Sequence, residues 1–107
     1  MPSLPETFAA LSDSTRFAIV ERLLAEGELP AGDLAAATDL SAPAVSRHLK
    51  VLRNAGIVAQ RIDGTRRYYR AEPAPLRAIS AWTGSHRAFW EASLDRLEKV
   101  LNTSGWT

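Results

Sequence analysis

Apolar side chains recur every three or four residues in several stretches of this chain, which is the spacing of helices with one buried face. Asp13 and Ser41 are favoured N-cap residues at the starts of two such stretches, and Gly27 is a helix stop signal. These signals predict four helices in the first half of the chain. The predicted helices cover residues 5–11, 14–25, 31–37 and 42–54.

The pattern after Gly56 changes to the two-residue alternation of strands. It predicts strands at residues 57–62 and 66–71. Asp63 and Gly64 between them are a strong hairpin signal. A short antiparallel hairpin is therefore expected to follow the fourth helix.

A long helix is predicted at the end of the chain. Pro73 and Pro75 bracket its start, and residues 76–101 would span about 39 Å. The fold class is therefore mainly α with a small β-hairpin (α+β), with five helices and a two-stranded wing. Three helices followed by a hairpin form the winged helix-turn-helix arrangement, here predicted as a single domain over residues 1–107.

Positive charge is concentrated between residues 41 and 70. This block has seven basic residues and one acidic residue, a net charge of +6, whereas the rest has six basic and eleven acidic residues, a net charge of −5. The whole chain has a net charge of only +1. Such a concentration in a nearly neutral protein suggests a surface that binds a polyanion.

Composition narrows the function classes further. The chain of 107 residues has no cysteine, which excludes disulfides and thiolate metal sites. Its start lacks the basic and apolar regions of a secretory signal, and no apolar run approaches membrane-spanning length, so a cytoplasmic protein with no membrane partner is expected. Paired carboxylates, a Ser/His/Asp set and a glycine-rich phosphate loop are not recognisable, so an enzyme is not expected.

Three segments carry specific motifs. They are F-x-A-L-S-D-S-T-R at residues 8–16, L-S-A-P-A-V-S-R-H-L-K-V-L-R-N-A-G-I-V at residues 40–58, and R-I-D-G-T-R-R-Y-Y-R at residues 61–70. Together they resemble the ArsR family of bacterial winged-helix repressors, over about residues 5–101. The resemblance implies a dimer that sits on its own promoter and leaves when an inducer binds.

The metal sites of that family can be compared position by position. Its arsenic and cadmium sensors carry E-L-C-V-C-D-L, and this chain has Pro30 and Gly32 at the two thiolate positions. Its zinc sensors use D-x-H together with H-x-x-H or H-x-x-E on the last helix. Here Gly84-Ser85-His86 stands in place of D-x-H, and Leu97 stands where the second motif would have a metal ligand. The chain therefore resembles the subgroup without a recognised metal site. We predict no metal and no cofactor, and the inducer, if one exists, stays open.

The fourth helix and the hairpin contain most residues predicted to bind operator DNA. Arg47 is the best candidate for bidentate hydrogen bonds to a guanine edge, and Arg66 or Arg67 for the narrow minor groove. The family often has glutamine at the position of Ala42, so one polar base contact is missing. His48 is equally well a phosphate donor or a packing residue between the third and fourth helices. The predicted DNA-binding residues are Arg16, Ser41, Ala42, Ala44, Ser46, Arg47, His48, Lys50, Arg66, Arg67 and Tyr69.

Two further assignments have alternatives. Alternation places one of Tyr68 and Tyr69 in the core and the other within reach of a phosphate. Arg16 resembles a phosphate contact of the family, but it could equally pair with Asp13 or Glu21.

An apolar stripe runs along the predicted last helix, and we call it the C-terminal stripe. It is interpreted as core and dimer interface in preference to an aromatic ligand pocket, because a small domain gains stability by burying such a face against a second copy. The first helix is predicted to complete the interface. The C-terminal stripe comprises Trp82, Phe89, Trp90, Leu94, Leu97 and Leu101, and the first helix adds Leu4, Phe8 and Leu11.

Two functions remain compatible with the sequence. The leading hypothesis is a homodimeric, metal-independent transcriptional repressor that binds double-stranded operator DNA, in the simplest case an autorepressor. The alternative is a winged-helix module for protein–protein interaction, which would leave the basic block without a role.

Overall fold

The computed structural model describes residues 3–105, which form two compact units, one ending at Arg77 and one beginning at Ala78. Six helices and three strands occur in this part of the chain. They are α1 (Leu4–Leu11), α2 (Ser14–Glu26), β1 (Leu29–Pro30), α3 (Ala31–Ala36), α4 (Ala42–Asn54), β2 (Val58–Asp63), β3 (Arg66–Ala71), α5 (Pro73–Ser85) and α6 (Arg87–Thr103). The winged helix-turn-helix fold predicted from the sequence is confirmed.

Helices α2 and α4 begin directly after the N-cap residues that the sequence predicts. The Asp13 carboxylate accepts a hydrogen bond from the backbone N–H of Arg16 at 3.0 Å, and the Ser41 hydroxyl accepts one from Ala44 at 3.3 Å. Each bond satisfies one of the N–H groups that the first turn of a helix leaves unpaired. These caps fix where α2 and α4 begin, and so fix which residues of α4 face outward.

The core of the first unit lies where α2, α3 and α4 meet the sheet. Leu34, Leu52 and Ile57 are almost completely buried there. Val45, Leu49 and Leu52 recur at intervals of four and three, so α4 turns one apolar face into the core and leaves the opposite face outside. The buried cluster comprises Ala10, Ile19, Val20, Leu23, Leu34, Val45, Leu49, Leu52, Ile57, Val58 and Tyr69.

The sheet is antiparallel with strand order β1-β3-β2. Strands β2 and β3 form the hairpin, called the wing below, and Gly64 in its turn has a φ of +63°. That left-handed conformation is one glycine adopts without steric cost. The edge strand β1 was not predicted, because a two-residue strand is too short to show alternation. Its Pro30 is tolerated at a sheet edge, where a missing N–H leaves no ladder bond unmade.

The predicted last helix is divided in two. His86 adopts φ −109° and ψ 8°, which separates α5 from α6, and the helical region begins at Pro73 instead of residue 76. Local side-chain bonds compete with the helical ladder at this point: the Ser85 hydroxyl donates to the Trp82 carbonyl, and His86 Nδ1 lies 2.9 Å from the same oxygen. Gly84 adds a poor helix former. The prediction of one uninterrupted helix was therefore wrong.

Between residues 3 and 105, no helix is both long enough and apolar enough to cross a lipid bilayer.

Candidate nucleic-acid interface

The outward face of α4 combines small polar and basic side chains. Ser46, Arg47 and Lys50 are exposed there. Within residues 3–105, the side chains of Arg47 and Lys50 make no hydrogen bond or ion pair with the protein, so both charges face solvent. Ala42 is exposed beside them, while Ala44 is half-buried. This face has the size and charge that enter a major groove.

The wing adds a second basic surface. Arg66 and Arg67 are exposed at the start of β3, and their side chains make no hydrogen bond or ion pair with other described residues. In the hairpin register Arg66 lies opposite Asp63 and Arg67 lies opposite Ile62. Neighbouring strand residues point to opposite faces, so the two guanidinium groups leave the wing on different sides.

The other basic residues of the 41–70 block have side-chain partners within the protein. Arg61 forms a bidentate pair with Glu28, with N···O distances of 2.9 and 3.0 Å, and lies 4.4 Å from the centre of the Tyr68 ring. Hydrogen bonds from Arg61 lower the pKa of Glu28. Arg70 pairs with Glu72 at 3.3 Å, and Arg53 donates to a side-chain amide. Within this block, the positive charges that have no carboxylate partner among the described residues therefore lie on α4 and near the tip of the wing.

The Glu28–Arg61 pair was not predicted from the sequence. Its members are 33 residues apart, and only the pairing of β1 with β3 brings the segment of Glu28 beside the wing. No local pattern signals such a contact.

Tyr69 is a core residue. It is 4% exposed, and its hydroxyl donates to Gln60 Oε1 at 3.1 Å. The prediction that Tyr69 contacts a phosphate does not fit this placement, because a ring buried in the core cannot present its oxygen to DNA. The alternation argument was correct in separating the two tyrosines, and Tyr68 is the half-buried one.

Arg16 and His48 lie together, half-buried, beside the start of α2. Arg16 Nη1 is 3.2 Å from His48 Nδ1, and Arg16 Nε donates to the carbonyl of Ala10 at 2.6 Å. The predicted pairing of Arg16 with Glu21 is not observed, and Asp13 bonds to the Arg16 backbone. His48 lies beside the start of α2, with its Nδ1 at 3.7 Å from Asp13 Oδ2.

The C-terminal stripe lies on α5 and α6 of the second unit, and its members are exposed. Trp82, Thr83, Arg87, Trp90 and Glu91 line an open cleft of about 450 Å³. The Trp82 and Trp90 rings are 5.9 Å apart. In the first unit, Leu4 and Leu11 are half-buried and Phe8 is exposed.

Comparison with known proteins identifies the family. A family described as "Bacterial regulatory protein, arsR family" matches residues 13–60, which include α2, α3, α4 and the start of the wing. The HTH-type transcriptional regulator Rv2034 of Mycobacterium tuberculosis is 46% identical over 96 residues, covering 90% of this chain and 86% of that protein. The chain belongs to the ArsR family.

Other relatives and solved structures support the same family assignment. The arsenical resistance operon repressor of Escherichia coli K12 is 42% identical over 97 residues, or 90% of this chain and 80% of that protein. The crystal structure of an ArsR family transcriptional regulator has a TM-score of 0.74 at 29% identity, covering 85% of this chain and 97% of that one. A possible transcriptional regulator for arsenical resistance has a TM-score of 0.70 at 40% identity, covering 85% and 91%.

Membership of the ArsR family decides between the two hypotheses for function. The chain is a DNA-binding transcriptional regulator of the repressor type, and the alternative of a protein–protein interaction module is set aside. ArsR proteins are regulators, which confirms the prediction that the chain is not an enzyme.

Proposed function

We propose that this ArsR protein is a homodimeric, metal-independent repressor in which the two α4 helices read successive major grooves of an operator. The observation that carries this proposal is the set of basic side chains on α4 and the wing that make no hydrogen bond or ion pair with another described residue, namely Arg47, Lys50, Arg66 and Arg67. Free guanidinium groups bind guanine edges and phosphates without first breaking an internal ion pair. The proposed cellular location is the cytoplasm, where operator DNA is found.

The second copy is proposed from the second unit. Trp90, Leu94, Leu97 and Leu101 lie at intervals of four, three and four on α6, and each is at least 37% exposed. A contiguous apolar surface of this kind marks an interface. Burial against the same surface of a second copy about a two-fold axis would cover it and bring two α4 helices into one assembly.

Metal independence is proposed from the residues that occupy the family's sensor positions. Pro30 in β1 and Gly32 in α3 cannot bind a metal through their side chains. Among the described residues, no group of three histidine, cysteine, aspartate or glutamate side chains could hold a metal ion. The arsenic and cadmium named for several relatives are therefore not carried over to this chain.

The test is nuclease protection of the DNA upstream of the gene, combined with a salt titration of binding. We expect two protected half-sites centred about one helical turn apart on one DNA face, and a linear fall of log K with log salt. Binding that shows no preference for any upstream segment over unrelated DNA would contradict the proposal.

Arg47→Ala is the informative variant in that titration, and Arg53→Ala is its matched control. Both remove one arginine from α4, but Arg53 already donates to Gln60. Only Arg47→Ala is expected to relax the sequence preference.

A further inference from the structure

Arg16 joins three helices through one side chain. It is the third residue of α2, and its guanidinium reaches both α1 and α4. Nε donates to the Ala10 carbonyl at 2.6 Å, Nη2 makes a longer contact of 3.5 Å with the Ala9 carbonyl, and Nη1 lies 3.2 Å from His48 Nδ1. All three nitrogens of the planar group thus have a partner inside the protein.

The contact with α1 supplies hydrogen-bond donors to the C-terminal carbonyls of that helix. The last carbonyls of a helix have no intrahelical partner and carry a partial negative charge. Helix α1 has no basic residue in its own last turn, and Arg16 supplies the missing cation from α2. Because the group is half-buried, this interaction is screened less than one in open solvent.

The contact with α4 is made at His48. Arginine nitrogens only donate, so a hydrogen bond between Arg16 and His48 uses Nδ1 of His48 as its acceptor. Asp13 Oδ2 lies 3.7 Å from the same Nδ1 and also caps α2. His48 directly follows Arg47 on α4, so this contact lies one residue away from the candidate reading face.

We propose that Arg16 is a positioning residue that holds α4 in its reading orientation against α1, in place of the DNA contact predicted for it. This proposal rests on the proposed function, in which α4 reads the operator. Three of the five N–H donors of Arg16 are directed at the carbonyls of α1 and at His48, so its hydrogen-bonding capacity is used mainly inside the protein. Since α1 carries Leu4, Phe8 and Leu11 of the predicted interface, Arg16 also joins that interface to the reading helix.

The first test compares Arg16→Gln, Arg16→Lys and the unchanged full-length chain. Affinities are measured for the operator and for unrelated DNA of equal length, each over a range of salt concentrations. We expect operator affinity to fall roughly 2- to 30-fold in both variants, with affinity for unrelated DNA and the salt slope unchanged. Lysine should not restore binding, because a single ammonium group cannot bond both helices as the guanidinium fork does.

A direct phosphate contact predicts the opposite pattern. Arg16→Gln would then weaken binding to every sequence and reduce the salt slope by about one per protomer, and Arg16→Lys would restore both. That result overturns the proposal. If the unchanged protein itself shows no operator preference, the proposed function fails; if it shows one that both Arg16 variants keep, only the positioning role fails.

A second pair of variants keeps the proposal testable if the Arg16 variants do not fold. His48→Asn retains an acceptor near the position of Nδ1, whereas His48→Leu has none, and both remove Nε2. We expect His48→Asn to keep operator preference and His48→Leu to lose it, with equal affinity for unrelated DNA. Equal operator affinities for the two His48 variants would overturn the positioning role.

Discussion

Helices α4 and α6 have the same apolar spacing but differ in what covers it. Val45, Leu49 and Leu52 of α4 are buried against the rest of the first unit. Leu94 and Leu97 of α6 are 54% and 51% exposed, and no residue of α6 is buried. Periodicity therefore establishes that a helix has an apolar face, but it does not establish whether that face packs within the chain.

The polar faces of the two helices differ as well. Arg47 and Lys50 of α4 have no internal partner among the described residues, whereas Arg87 of α6 pairs with Glu91 at 3.1 Å. Helix α4 thus has an apolar face that is satisfied and a charged face that is available. Helix α6 has an exposed apolar face, and its Arg87 is paired with Glu91. The difference supports the proposal that α4 binds DNA and that α6 forms the interface between two copies, and each proposed role can be tested separately.

The largest effect is expected from charges placed in the apolar face of α6. Trp90→Asp combined with Leu97→Asp should give monomers, because burying two carboxylates in an interface is strongly unfavourable. Losing the linkage between two reading helices should weaken operator binding about 10²- to 10⁴-fold. Sedimentation and a DNA shift assay measure the two outcomes.

The matched control for that double variant lies on the opposite face of α6. Ala92→Asp with Lys99→Asn changes the net charge by the same amount at the same seven-residue spacing. It should remain dimeric and keep its operator affinity. A folded monomer of the Trp90 and Leu97 variant that binds the full operator as tightly as the unchanged protein would rule out the dimeric mechanism.

The next largest effect is expected at the outward face of α4. Arg47→Ala should cost about 1–3 kcal/mol of operator binding and relax the preference at one base pair in each half-site. Folding should be unaffected, since Arg47 is exposed. The measurement is a binding competition among operators with single base changes, and unchanged discrimination in a folded dimer would show that Arg47 does not read a base.

A smaller, sequence-independent effect is expected at the wing. Replacing Arg66 and Arg67 by alanine should weaken binding to all DNA sequences and reduce the slope of log K against log salt by roughly 1–2 per wing. Arg61→Ala is a useful contrast, because Arg61 is already paired with Glu28. A slope equal to that of the unchanged protein would mean that the wing does not touch DNA.

We expect added metal ions to have no effect on DNA binding. One equivalent of zinc, cadmium or arsenite should neither bind tightly nor release DNA, because the chain has no cysteine and His86 Nδ1 lies beside Ser85 Oγ and the Trp82 carbonyl. A titration followed by a DNA shift assay checks this, with chelator-treated protein as the control. Release by any of the three would contradict metal independence.

Much of the fold could be predicted from local signals. The caps Asp13 and Ser41, the Asp63-Gly64 turn and the apolar spacing of α4 each act within a few residues, and the structure confirms them. The break at His86 was missed because Ser85 and His86 use side-chain bonds to the Trp82 carbonyl that a helical pattern does not reveal.

The site was less predictable, because tertiary contacts decide which of its charged side chains are paired and which face solvent. Arg16, Arg47 and Arg61 are alike in sequence, yet one bonds to α1 and α4, one is free among the described residues, and one is paired with Glu28. Likewise, alternation separated Tyr68 from Tyr69 but could not say which faces the core. These choices depend on strand pairing and helix packing across many residues, which no local pattern contains.

Sedimentation equilibrium of the unchanged protein, alone and with DNA, tests the contrast between α4 and α6 most directly. We expect a particle of twice the 11.7 kDa chain mass, two chains on each full operator, and much weaker binding to a single half-site. A particle of one chain mass that binds full operator and half-site with equal affinity would contradict the account.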